Sequence, residues 1–168
     1  DQPREILDQA KKISLWGKHL FVKVPIVNTK GKILTSVIQK LNSSKIKLNI
    51  TAIFTLEQVT QIKKVIDYKT PVIISIFCGR IADSGLDPEI LTKKAVKIFK
   101  SYKNVQILWA STREVLNYQQ AKKCKCHIIT MSPTLIDKLN TKKLPLKKWS
   151  IKTVQQFFAD GKKSNFNI

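Results

Sequence analysis

Five short apolar runs, each followed by a stretch of helical spacing, limit what this chain can fold into more than any other feature. Apolar residues recur at period two over residues 20–24, 48–54, 72–77, 105–110 and 127–131. Around them lie stretches where apolar residues recur every three or four positions: 5–16, 32–41, 56–66, 88–102, 113–123 and 133–139. The runs are too apolar to leave either face in water, which is the condition of a parallel sheet crossed by helices. Helix starts are marked as well. Asp87-Pro88 and Ser132-Pro133 each place a capping side chain before a proline suited to the first helical position. Thr55-x-x-Gln58 and Ser111-x-x-Glu114 read as capping boxes.

The strand count leaves two α/β architectures open. A closed (β/α)8 barrel needs eight strands and about 250 residues, and this chain has 168. A five-stranded doubly wound sheet fits the length, yet it ordinarily carries a glycine-rich phosphate loop after its first strand. None of the five glycines here forms one. No linker or low-complexity segment divides the chain, so residues 1–168 read as a single domain.

Composition narrows the class. At 43% hydrophobic and 25% charged residues the chain can bury a core. No apolar run reaches the roughly 18 residues needed to cross a bilayer, so no membrane partner is expected. Three cysteines without a CxxC pair, and only two histidines, argue against a disulfide scaffold and against a zinc or other metal site, and make a cytoplasmic setting the default. His19 and His127 fall at strand starts and read as structural. Cys124 and Cys126 read as loop or core thiols, and Trp109 as packing or as interior lining. The net charge is +20, but 28 of the 31 basic residues are lysine, and only Arg4, Arg80 and Arg113 are arginine. Nucleic-acid surfaces favour arginine for bidentate contacts, so the lysines read as a solvated outer face and nucleic acid is not the expected partner. The residual field attracts anions, sugar phosphates included.

Parallel α/β folds place chemistry at the C-terminal ends of their strands. Lys23 is out of place there, lying between Val22 and Val24 inside a strand. Side chains alternate across a strand, so if the valines face the helices, the lysine points into the sheet or barrel interior. Burial there would disfavour the charged form, and a neutral amine condenses with ketones to a Schiff base. An edge-strand lysine in solvent is the plainer reading. Ser111 and Arg113, near a helix start, offer N–H groups, a hydroxyl and a guanidinium to an anion. Arg80 follows Gly79 at another strand end and could converge on the same point. A buried amine beside an arginine-lined anion site suits a phosphorylated carbonyl compound.

These residues resemble the transaldolase family. Lys23-Val24-Pro25, Asn49-Ile50-Thr51, Ser75-x-Phe77-x-Gly79-Arg80 and Ala110-Ser111-x-Arg113 occur in the family's order and spacing, and the likeness runs from about residue 5 to 158. The resemblance implies a (β/α)8 TIM barrel of transaldolase type, represented here by about five C-terminal βα units. Strands one to three would be absent, with the Asp, Asn and Glu that they bring to the site. Asp83 and Asp87, in a loop beyond a strand end, are not expected to replace those acids.

The same resemblance makes Lys23 the Schiff-base nucleophile and places Thr51 near the catalytic water. It makes Ser75, Phe77 and Arg80 the substrate-pocket and phosphate-binding residues, with Ser111 and Arg113 completing the phosphate site. The implied activity is transfer of a dihydroxyacetone unit from a ketose phosphate to an aldose phosphate in the pentose phosphate pathway. No cofactor is implied, because the protonated imine is the electron sink. Phe77 stands where related fructose-6-phosphate aldolases carry Tyr, which favours transfer over simple aldol cleavage. The chain by itself is expected to be weakly active or inactive. The alternatives are a Schiff-base aldolase and a non-catalytic polyanion-binding remnant, and a homo-oligomer stays open.

Overall fold

The computed structural model describes residues 1–140 and 144–164. The elements run α1 (Pro3–Ser14), β1 (Val22–Pro25), α2 (Thr35–Ser43), β2 (Leu48–Ile53), α3 (Leu56–Val65), β3 (Val72–Ile76), α4 (Cys78–Asp83), α5 (Pro88–Ile98), β4 (Val105–Trp109), α6 (Leu116–Lys123), β5 (Ile128–Ile129), α7 (Pro133–Asn140) and α8 (Leu146–Lys163). All five strands pair in parallel, in the order β1-β2-β3-β4-β5. A doubly wound sheet reverses its winding at a switch point, so its strand order departs from chain order. Strictly sequential order is that of a barrel wall, and it decides between the two architectures that the sequence left open. The fold is α/β, a five-stranded piece of such a wall.

The alternation of side chains gives the wall two unlike faces. Val22, Val24, Leu48, Ile50, Ile74 and Ile107 are buried on the outer face with helix residues such as Ile38, Leu41, Val59 and Ile62. Full burial of each aliphatic side chain contributes roughly 1.5–3 kcal/mol. Trp109 belongs to this core and is fully buried, so its role is packing. The inner face has a smaller apolar cluster of Ile73, Leu108 and Ala110, bordered by Phe21, Phe77 and Ile128. Between these apolar residues the inner face turns polar.

Local chemistry explains most boundaries. Thr55 caps α3 and Gln58 completes the box, while Asp87 caps α5 ahead of Pro88, both as the sequence signals. The Ser132 hydroxyl accepts from the Leu135 N–H at 3.3 Å. α2 starts at Thr35 rather than at residue 32, because Asn28 Oδ1 accepts from the Lys30 and Lys32 N–H groups and folds that segment into a turn closed by a Val27–Ile33 bridge. Six residues directly after β3 form α4, which is too short to show a helical period. The Ser111-x-x-Glu114 box does not form: Ser111 has φ 65°, α6 begins only at Leu116, and Asn117 Oδ1 takes the Arg113 and Glu114 N–H groups instead. β5 is two residues long rather than five, being paired on one side only.

The chain divides into two compact units, Asp1–Ile136 and Asp137–Ile168. The second contains α8, which carries Phe157 and Phe158; residues 165–168 of the tail lie outside the described residues. Among the described residues no helix is long and apolar enough to cross a membrane.

Candidate active site at the strand ends

The inner face opens at the C-terminal ends of the strands into a pocket of about 260 Å³. Lys23 of β1, Asn49 of β2, Ser75 and Phe77 at β3, Arg80 of α4, Ser111 and Arg113 after β4, and Thr130 after β5 line it, with Leu108 and Ala110 as its apolar floor. Sheet register produces this grouping. Lys23 stands beside Asn49, and Ser75 beside Leu108, so residues far apart in sequence share one face at neighbouring levels. Six of the seven residues singled out from the sequence meet here.

Lys23 points inward, as the buried valines on either side require, but it is exposed rather than buried. Among the described residues β1 pairs with β2 alone and has no strand on its other side. Alternation fixes the direction of a side chain, whereas burial depends on what stands opposite, so the burial expected from the sequence is not there.

Thr51, the seventh residue, lies on the same face of β2 but outside the pocket lining. Ala52 next to it has φ 58°, a left-handed conformation that costs roughly 1–2 kcal/mol for a residue with a Cβ. The β2–β3 register slips there, with Ile50 opposite Ile74 but Ile53 opposite Ile76, which marks a bulge of one extra residue on β2. Thr51 is buried at the bulge, and its hydroxyl has no hydrogen-bond partner among the described residues.

Ser75 is buried, and its hydroxyl donates to Asn49 Oδ1 at 2.6 Å. That bond fixes the amide so that its NH2 remains for a ligand. The Arg80 guanidinium carbon lies 5.3 Å from the centre of the Phe77 ring, a cation–π arrangement that holds the side chain at the pocket edge. Phe54 contacts the same ring, with centroids 5.6 Å apart.

The first turn of α4 and the loop after β4 are pressed together at this end. A Cβ on Gly79 would fall 1.6 Å from the Ser111 carbonyl oxygen, so only glycine fits there. The Gly79 N–H donates to the Ala110 carbonyl at 3.4 Å. The contact delivers Arg113 to Asp83, which it meets through Nη2–Oδ2 at 2.7 Å and a longer Nε contact. Hydrogen bonding to Arg113 holds the Asp83 carboxyl below its ordinary range and raises Arg113 in turn. Asp83 thus ends a helix and partners an arginine.

Of the residues read as structural, His127, Cys124 and Cys126 act that way, whereas His19 is exposed. His127 Nδ1 accepts from the Ile107 backbone N–H at 3.0 Å, at the strand end remote from the pocket. Cys124 is buried and Cys126 partly so, packed on the main core. Asn49 and Thr130 are the pocket residues that sequence reasoning missed. Asn49 belongs to the Asn49-Ile50-Thr51 segment, and alternation along that strand, which sets it on the same face as Thr51, was the available signal.

A sequentially wound parallel wall with a lysine and two arginines converging at its strand ends belongs to the barrel-type α/β proteins that keep their polar sites at that end. Residues 1–168 match the sequence model of the transaldolase/fructose-6-phosphate aldolase family. The chain is 31% identical over 140 residues to a probable transaldolase of Herpetosiphon aurantiacus, covering 82% of this chain and 59% of that protein. It is 29% identical over 136 residues to probable transaldolase 2 of Listeria monocytogenes, covering 80% of this chain and 59% of the relative. A probable transaldolase of Streptococcus equi subsp. zooepidemicus is 31% identical over 160 residues, with 95% and 70% covered. The chain therefore belongs to the transaldolase/fructose-6-phosphate aldolase family, and it spans about 59% of the length of the first two of these relatives.

Proposed function

We propose that the chain carries the Schiff-base end of a transaldolase-type site, which moves a dihydroxyacetone unit from a ketose phosphate to an aldose phosphate, as in the pentose phosphate pathway. The observation that carries this reading is the placement of Lys23, Arg80 and Arg113, from three different strand ends, around one pocket. Guanidiniums grip the anionic end of such a substrate, and the amine meets its carbonyl. A cytoplasmic setting suits the substrates and the three free thiols.

In the reaction, the Lys23 nitrogen adds to the ketone carbon and water leaves, giving an iminium. The iminium draws in the electron pair of the C–C bond beyond the neighbouring carbon. The hydroxyl proton of the departing aldehyde passes to a base, and an enamine stays on Lys23. That enamine adds to the acceptor aldehyde, and water hydrolyses the new iminium. The phosphate grip, remote from the reacting bond, supplies orientation. Phe77 brings a ring without a hydroxyl to the pocket. It has no proton to give the enamine, which supports transfer over release of free dihydroxyacetone. Carboxylate and histidine are absent from the described lining, so the base for bond cleavage is not among these residues. Schiff-base formation by the chain as it stands is accordingly expected to outpace full turnover, which is low or nil.

The test is borohydride reduction in the presence of fructose 6-phosphate, followed by peptide mapping. A reduced adduct on the Lys23 peptide is expected: six carbons where cleavage stalls, three where it proceeds. An adduct on another lysine, or none, refutes the reading.

A further inference from the structure

We infer that Asp83 is a positioning residue that fixes Arg113 for an anion, an inference that rests on reading this pocket as a sugar-phosphate site. Asp83 is the last residue of α4, and Arg113 lies in the loop after β4. No sequence motif links the two. They meet because the missing side chain of Gly79 lets α4 lie against the Ser111 backbone.

The carboxylate takes the guanidinium side-on. Nε donates toward Oδ1 at 3.3 Å and Oδ2 at 3.2 Å, and Nη2 donates to Oδ2 at 2.7 Å. A guanidinium carries five N–H groups in one plane. This grip uses the Nε hydrogen and one on Nη2, leaving both Nη1 hydrogens and the second Nη2 hydrogen for another partner. Arg113 lines the pocket together with Arg80, Ser111 and Lys23, so the guanidinium with donors to spare belongs to the same cavity wall as the other cationic groups. The two side chains are 50% and 52% exposed, and without the grip a long arginine in water samples many rotamers. The backbone N–H of Arg113 is held separately by Asn117 Oδ1 at 2.8 Å. Loss of Asp83 therefore frees the side chain and leaves its root in place.

A carboxylate beside an anion site has a second conceivable role, as a rival for the guanidinium. The two roles have opposite signs: removing a rival tightens anion binding, and removing a positioner weakens it. Inorganic phosphate is titrated calorimetrically into the full chain at fixed ionic strength, for the wild type, Asp83→Ala, Asp83→Asn, Arg113→Ala and Asp83→Ala/Arg113→Ala. Both Asp83 variants are expected to weaken binding about tenfold, and the double variant to bind no more weakly than Arg113→Ala alone. Tighter or unchanged binding by Asp83→Ala, additional weakening in the Arg113→Ala background, or no phosphate binding by the wild type overturns the inference. Trapping of Lys23 by dihydroxyacetone, which has no phosphate, reports on the Schiff-base reading alone. Its failure beside intact phosphate binding sinks that reading while the Asp83 result stands.

Discussion

Replacing Gly79 with alanine should separate the two halves of the anion site. The added methyl would lie 1.6 Å from the Ser111 carbonyl oxygen, 2.8 Å from its carbonyl carbon and 3.2 Å from Arg113 Cγ. The first two are backbone atoms and cannot rotate aside, so α4 and the Ser111 loop must part by more than an ångström. Parting breaks the 3.4 Å bond from the Gly79 N–H to the Ala110 carbonyl and moves Arg80, the next residue along. Overpacking of this kind costs about 1–3 kcal/mol, occasionally more, and the rigid partners place it in the upper half of that range. A displacement of about 1 Å can reduce the performance of a positioned site on the order of 100-fold, and at least tenfold weaker phosphate binding is expected. Urea denaturation and phosphate titration give the two readings. Gly17→Ala is the control: among the described residues nothing lies within 4 Å of the added carbon there, and stability should stay within about 0.5 kcal/mol of wild type. A Gly79→Ala protein with wild-type midpoint and wild-type phosphate affinity would show that the close approach does not hold the arginines together.

Asp67 offers a pH-dependent test. Burial alone would raise its pKa, but hydrogen bonds from Lys45 and from the N–H groups of Thr70 and Lys69, with the Thr70 hydroxyl, bring it well below the usual carboxylate range. A depressed folded-state pKa means that the ionised form stabilises the fold above the unfolded value of about 3.9 and that this is lost as pH falls through the folded value. Asp67→Asn should therefore lower stability by about 1–3 kcal/mol at pH 7, with the gap to wild type narrowing below about pH 4; a constant gap would contradict the argument. The thiols give another. Burial pushes Cys78 and Cys126 up to about 12 and Cys124 up to about 11. A disulfide reagent at pH 7 should label the buried Cys78 and Cys124 only in denaturant and the half-buried Cys126 slowly, and rapid labelling of Cys78 or Cys124 in the native protein would count against the packing described.

The wall of the barrel was legible because buried parallel strands have to be apolar: four strands lie within the runs marked by period two, and β1 passes the end of its run by one residue, Pro25. Capping at Thr55 and Asp87 was legible for a similar reason: a short polar side chain before a helix has few other uses. Ser111 shows where that logic fails. The same spacing of Ser and Glu occurs there, but close contact with Gly79 holds the chain near a left-handed conformation, and Asn117 takes over the N–H groups. The inward face of Lys23 followed from alternation, whereas its exposure depends on neighbours that no local pattern records. The Ser75–Asn49 bond and the grip of Asp83 on Arg113 join residues 26 and 30 positions apart. Such pairs emerge only from register and loop packing.

The central claim is that one small molecule occupies the amine and both guanidiniums at once. A crystal structure of the borohydride-reduced fructose 6-phosphate adduct measures this directly. The expected density is continuous from Lys23 Nζ, with phosphate oxygens at about 2.7–3.2 Å from the guanidinium nitrogens of Arg80 and Arg113. A phosphate lying elsewhere, or density growing from a different lysine, would contradict it.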